Sequence, residues 1–327
     1  MSYDRLSISV ERTIIIRNGG AFVKRRLHGR GASVYKEIKM KTAILTDTNS
    51  GISVKEGAEL GVFVIPMPVI VNGNDYLEEE TITHARLYAE MRAKADVSTS
   101  QPSPQVMLDM WDNILASGYD EVVYIPMSSG LSNTCATAQK FSEDYDGKVF
   151  VVDNHRISVT LRDSVRDALC LAKSGASGAE IKAALERDAY RSSIYIAVDT
   201  MEYLLKNGRC TRAAATIATV LNIKPVLTIQ GGKLDAFKKV PGMKKGIAVM
   251  IDAIAKDMKT RFAEYPPERF RIGAAGTLEK QEDVEFWVES VKAAFPKSYV
   301  YYSELSCSIA CHVGINAVGI GVSVTDF

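Results

Sequence analysis

From Lys41 onward short apolar runs alternate with segments of helical period, and this alternation constrains the fold more than any other feature of the chain. The runs are too short for helices and are bounded by turn residues, so they read as strands. Strands are expected at 42–45, 62–71, 121–125, 149–152, 194–198, 225–229, 271–275, 299–302 and 318–324. Helices are expected at 85–95, 103–115, 133–145, 158–173, 179–191, 246–262 and 280–295. With 327 residues the chain divides into two domains: an N-terminal α/β domain with a parallel sheet over 41–157, and a second α/β domain over 158–327. A ligand cleft is expected between them.

Residues 1–40 do not fit this pattern. They hold nine Lys or Arg against three Asp or Glu, whereas 41–327 hold 31 against 36, so a basic extension precedes an acidic body. Only 13–16 reads as strand, and a poorly ordered extension is expected. Met40-Lys41-Thr42 would make a natural start ahead of the first strand. Basic clusters of this kind suit RNA or an anionic membrane. The chain has no RNP-like aromatic motif, however, and its body is net negative, so no nucleic-acid partner is expected. No apolar stretch approaches the roughly 20 residues of a spanning helix, and 62–71 is interrupted by Pro66 and Pro68, so no stable membrane insertion is expected. Cys135, Cys170, Cys210, Cys307 and Cys311 are odd in number and show no CxxC spacing, which fits reduced thiols in a cytoplasm. Cys307, Cys311 and His312 crowd into six residues without a distant fourth ligand, so no metal site is expected and the segment reads as loop.

Two hydroxyl-rich turns carry the functional signal: Thr99-Ser100-Gln101-Pro102-Ser103-Pro104 and Ser128-Ser129-Gly130-Leu131-Ser132-Asn133-Thr134, each directly before an expected helix. Helix N-termini expose N–H groups and a positive dipole end, and hydroxyl protons rotate toward whichever oxygen arrives. Such turns would hold a carboxylate without a fixed cation. Asp47-Thr48-Asn49-Ser50-Gly51 follows the first strand, at the carboxyl end of a parallel sheet where ligands collect. Each cluster alone is also the ordinary cap of a βα turn; together they point to a site.

Taken in order, Lys41-Thr42-Ala43-Ile44-Leu45-Thr46-Asp47-Thr48, the two hydroxyl turns, Val151-Val152-Asp153, Tyr203-Leu204-Leu205-Lys206-Asn207-Gly208-Arg209 and Leu221-Asn222-Ile223-Lys224-Pro225-Val226-Leu227 resemble the DegV family from Lys41 to the C-terminus. The resemblance implies a two-domain DegV-like fold and a long-chain fatty acid buried between the domains. It also implies a role as the lipid-binding subunit of a bacterial fatty acid kinase. A separate kinase subunit would phosphorylate the carboxylate, and the acyl phosphate would enter phospholipid synthesis. Carried over by residue, it sets Thr99 or Ser100, Ser128 or Ser129, and His312 against the carboxylate, with Asp47 and Arg209 as supporting candidates. Asn207-Gly208-Arg209 stands where relatives carry Gly-Gly-Arg, Asn being a residue that tolerates positive φ. Gly314-Ile315-Asn316 replaces Gly-Pro-Gly, and Pro241, flanked by lysines, replaces an arginine that helps dock the kinase subunit.

The residue types suit that chemistry. An acyl tail gains roughly 0.8 kcal/mol per buried methylene, so the tail supplies most of the affinity and the head group fixes orientation. His312, expected to titrate near neutrality, would help neutralise the carboxylate. No Walker loop or dinucleotide fingerprint is present, so no cofactor is expected and the chain should not bind ATP itself. The alternative is a small-molecule hydrolase using Ser129 and His312 with Asp47 or Asp153, although the Gly-x-Ser-x-Gly elbow is missing.

Overall fold

The computed structural model describes residues 40–216 and 223–326, with the backbone of three short strands before them. These strands, β1 (Thr13–Asn18), β2 (Ala21–Arg26) and β3 (Lys36–Ile38), pair antiparallel in sequence order. The rest of the extension, His28 included, and Leu221-Asn222 lie outside the described residues.

The remaining strands are β4 (Thr42–Asp47), β5 (Val62–Ile65), β6 (Pro68–Val71), β7 (Asn74–Leu77), β8 (Val97–Thr99), β9 (Glu121–Ile125), β10 (Val149–Val151), β11 (Ser192–Ala197), β12 (Lys224–Ile229), β13 (Asp235–Val240), β14 (Phe270–Gly276), β15 (Tyr299–Glu304) and β16 (Val318–Val324). The helices are α1 (Val54–Leu60), α2 (His84–Arg92), α3 (Pro104–Ala116), α4 (Thr134–Ser142), α5 (Ser158–Ser174), α6 (Gly178–Arg187), α7 (Glu202–Lys206), α8 (Arg212–Ala215), α9 (Met243–Thr260), α10 (Gln281–Ala294) and α11 (Cys307–Val313).

Strands β10-β9-β4-β5 form an all-parallel sheet. Every residue of β9 is buried, as a strand covered on both faces requires. One face packs on Met107 and Trp111 of α3 and Ala138 of α4; the other packs on Leu161 and Val165 of α5 and Ile181 of α6. A mixed six-stranded sheet, β13-β12-β11-β16-β14-β15, carries α9 and α10 on its outer face. Its inner face turns toward the first unit, and a small antiparallel sheet, β7-β6-β8, bridges the two through α2 and α11.

Two expectations change here. The run 62–71 is not one strand: Pro66 and Met67 break it into β5, which joins the parallel sheet, and β6, which pairs with β7 and β8. A proline cannot donate to a ladder, and here the break sends the chain to another sheet. Beyond the expected joint at 154–158, α5 and α6 pack back on the parallel sheet, and α5 also packs on the six-stranded sheet, so α5 serves both units. The joint itself is rigid. Arg156 is buried, with Nε donating to Ala189 O at 3.2 Å and Nη1 to Ser164 Oγ at 3.1 Å, while His155 and Ser158 hold φ of 57° and 54°. Among the described residues no helix is long and apolar enough to cross a membrane.

Candidate ligand-binding site

The inner face of the six-stranded sheet floors a cavity of about 810 Å³, mouth included. Its floor is aliphatic: Ile194 and Ile196 project from one face of β11 by strand alternation, with Ile229 of β12 beside them. Gly319 and Ala275, cross-strand partners on β16 and β14, keep the floor low. The polar lining residues are Thr99, Ser100, Gln101, Ser132, Ser158, Arg209 and His312.

Thr99 closes β8, and His312 occupies the last turn of α11; their Oγ1 and Nε2 lie 2.8 Å apart. The sequence reading placed His312 in a loop, but Ser306 caps a real helix, its Oγ accepting from Ile309 N at 3.2 Å. His312 Nδ1 is buried and has no hydrogen-bond partner. Burial first, and the Arg209 guanidinium second, push the imidazole down to about 4. The expected titration near neutrality is therefore corrected: the ring is neutral at pH 7 because desolvation and a neighbouring cation both disfavour the imidazolium.

The Asp47 turn holds α11 rather than a ligand. Thr48 Oγ1 donates to Glu78 at 2.7 Å, and the other Glu78 oxygen accepts from Cys307 N. Asn49 Oδ1 accepts from the hydroxyls of Ser306 and Ser308. A buried polar web thus fixes the start of the helix whose end carries His312. Asp47 itself does not line the cavity. Its carboxylate accepts from Asn49 N at 3.0 Å and Met127 N at 3.2 Å, and burial raises it to about 6. Its supporting role is indirect, since Met127 is a wall residue.

Both hydroxyl turns reach the cavity, the second by other residues than expected. Ser128 is fully buried, and its Oγ donates to Gly231 O at 2.7 Å and accepts from Gly130 N at 3.1 Å. Ser129 is exposed. Neither lines the cavity; Leu131 and Ser132 do. The reason is packing. A Cβ on Gly130 would lie 2.7 Å from Gly232 Cα and 2.8 Å from Gly231 O, so the start of this turn is pressed against the β12–β13 hairpin and its first hydroxyl is spent there. The alternative Ser129–His312 hydrolase is not assembled either, because His312 meets Thr99 while Ser129 N donates to Asp153 at 3.3 Å.

The two substituted glycine motifs keep their geometry. Asn207 has an ordinary φ of −88° and Gly208 takes the positive φ of 65°; Asn207 Nδ2 instead donates to Cys311 O at 3.0 Å, tying the Arg209 loop to α11. After α11, Gly314 and Asn316 adopt φ of 80° and 61°, so asparagine does what a second glycine would do.

The model of the family described as "Uncharacterised protein, DegV family" matches residues 41–325. The chain belongs to the DegV family. A DegV domain-containing protein of Deinococcus radiodurans is 30% identical over 287 residues, 86% of this chain and 98% of the relative. Among solved structures, a DegV family protein from Thermus thermophilus, described for its fatty acid binding, superposes with a TM-score of 0.79 at 28% identity, covering 88% of this chain and 100% of that one. A fatty acid binding DegV family protein from Streptococcus agalactiae has a TM-score of 0.76 at 25% identity, with the same coverage of 88% and 100%. The α/β DegV fold expected from the sequence is thereby shown.

Proposed function

We propose that this chain binds a long-chain fatty acid in the cavity and presents its carboxylate to a separate kinase subunit. One observation carries the reading: in a largely aliphatic cavity Thr99 Oγ1 lies 2.8 Å from Nε2 of a neutral His312, with the Arg209 guanidinium near enough to disfavour the imidazolium. A neutral ring that donates from Nε2 to Thr99 Oγ1 leaves the threonine proton for a carboxylate oxygen. Ser100 and Ser132 add donors, and Arg209 adds charge near His312. The aliphatic floor takes the tail. Relatives of similar fold are described as fatty acid binding, which supports the same ligand class here.

In the kinase step, a carboxylate oxygen forms a bond to the terminal phosphorus of a nucleotide held by the partner, and the bond to the nucleoside diphosphate breaks. The acyl phosphate then serves phospholipid synthesis. This chain supplies position rather than catalysis. Five free cysteines fit a reducing cytoplasm as the place of action.

Native mass spectrometry followed by lipid extraction tests the binding step. Co-purified C14–C18 acids are expected; a protein that carries none and takes up neither palmitate nor oleate would overturn it. Reconstitution with the kinase subunit of a DegV system and labelled ATP tests the second step. Labelled acyl phosphate is expected, and its absence with palmitate bound would remove the kinase role alone.

A further inference from the structure

Behind the acyl cavity lies a small pocket, partly open to solvent, walled by His155, Thr160, Tyr190, Ser192, Gln230 and Gly231. Only Ile194 and Ile229 line both cavities. They are direct cross-strand partners on β11 and β12, so their side chains stand side by side on the inner face of the sheet. Three stretches of chain run from one space into the other: Ile157 and Val159 face the first and Thr160 the second, Ile196 the first and Ser192 the second, and Ile229 is followed by Gln230 and Gly231. The two spaces are therefore consecutive compartments of one groove, and the isoleucine pair is the partition.

The partition lies away from the head-group end. A Cβ on Gly314, two residues after His312, would lie 3.1 Å from Tyr203 and 3.7 Å from Thr200, residues that follow the Ala197 end of β11. Ile194 sits toward the opposite, Ser192 end, about 10 Å back along the strand at 3.3 Å per residue. Beyond the partition the surroundings change character. His155 stacks on Tyr190 with ring centroids 5.4 Å apart, and a Cβ on Gly231 would come within 2.9 Å of Tyr190, which is itself 58% exposed, so the far side is a solvent-facing rim. Thr160, Ser192 and Gln230 make the interior polar, so an alkyl end forced into it would desolvate groups it cannot pair with.

We propose that the Ile194–Ile229 pair is the terminal wall of the acyl slot and sets the longest chain this protein accepts, an inference that rests on the fatty-acid reading. The methyl end of a saturated acid abuts the two side chains, and truncating either one joins the compartments.

The test measures binding of even-numbered saturated acids from C12 to C24 to wild type, Ile194→Ala and Ile229→Ala, by competition against one fluorescent fatty acid, with thermal melts to confirm folding. In wild type, affinity should rise with length and then break off. In both variants the break should move about two to four carbons longer, each methylene newly accommodated gaining about fourfold, the equivalent of ~0.8 kcal/mol for a buried CH2. Ser192→Leu, which refills the rear compartment, should return the break of Ile194→Ala toward wild type. If the alanine variants do not fold, Ile194→Val and Ile229→Val carry the same test with a smaller shift. Folded variants that bind with the wild-type break overturn the wall. A wild type that binds no acid of any length overturns the fatty-acid reading instead.

Discussion

The turn after β8 and the turn after β9 are built from the same residue types, both follow a strand and both precede a helix, yet they do different work. At Thr99 the hydroxyl meets an imidazole in the lining of a cavity; at Ser128 it meets the backbone carbonyl of Gly231 and is fully buried. The difference lies in what the fold brings opposite each hydroxyl. A hydroxyl whose acceptor is a neighbouring backbone group has its proton engaged and serves stability. One whose partner is a neutral imidazole donating to it keeps a proton to offer.

The largest expected effect tests the structural half of this contrast. Gly130→Ala would drive a methyl into the backbone of Gly231 and Gly232 and should cost about 3 kcal/mol of stability, read by urea unfolding. A loss below ~1 kcal/mol would mean the two turns are not pressed together as described.

Next comes the functional half. Thr99→Val, near in shape but without the hydroxyl, should weaken palmitate binding roughly ten- to hundredfold, as expected for losing a hydrogen bond to a charged group. Wild-type affinity in that variant would place the head group elsewhere.

Ser128→Ala leaves the Gly231 carbonyl without its donor and should cost ~1–2 kcal/mol of stability while palmitate affinity holds. A fall in affinity matching that of Thr99→Val would erase the distinction between the turns.

His312 sharpens the comparison through pH. Its folded pKa of about 4 lies below the ordinary 6.5, so between those values the unfolded chain takes up a proton that the folded chain refuses. The ring therefore withdraws stability as pH falls through that window. Asp47, raised to about 6 from 3.8, acts with the opposite sign and withdraws stability as pH rises through its own window. NMR titration of the His312 ring in ligand-free protein should give a midpoint near 4, and one at 6.5 or above would mean the ring is solvated.

The smallest effect belongs to Ser129, exposed beside the buried Ser128. Ser129→Ala should change stability by less than ~0.5 kcal/mol and leave palmitate affinity untouched. A clear loss of binding would return Ser129 to the site.

How much could be read from residues alone varies by element. Helix α3 follows its own signals, with Ser103 capping and Pro104 in the first turn, so 103–115 was legible to within one residue at each end. The strands of the parallel sheet were legible because burial on both faces leaves nearly unbroken apolar runs. Helices α1, α7, α8 and α11 were missed: they are four to seven residues long, too short to display a period. Strand β13 was missed because its exposed Phe237, Lys238 and Lys239 follow its place at the edge of the sheet, which only the sheet order defines. Of the residues carried over from the family resemblance, Thr99, Ser100, His312 and Arg209 line the cavity. Ser132 lay inside a quoted motif without being singled out, and the floor residues Ile194, Ile196 and Ile229 look like any buried strand.

The sequence by itself determined the α/β class and the hydroxyl-rich turns at strand ends, because periodicity, capping and backbone preference act over a few residues, while His312 came from the resemblance to the DegV family. Only the tertiary structure decided that the Ser128 hydroxyl is spent on Gly231 while Thr99 meets His312, that burial and Arg209 hold His312 neutral, and that Ile194 and Ile229 stand side by side under the cavity. Each of those properties depends on what stands opposite a group in space, and that is set by chain segments dozens to hundreds of residues away.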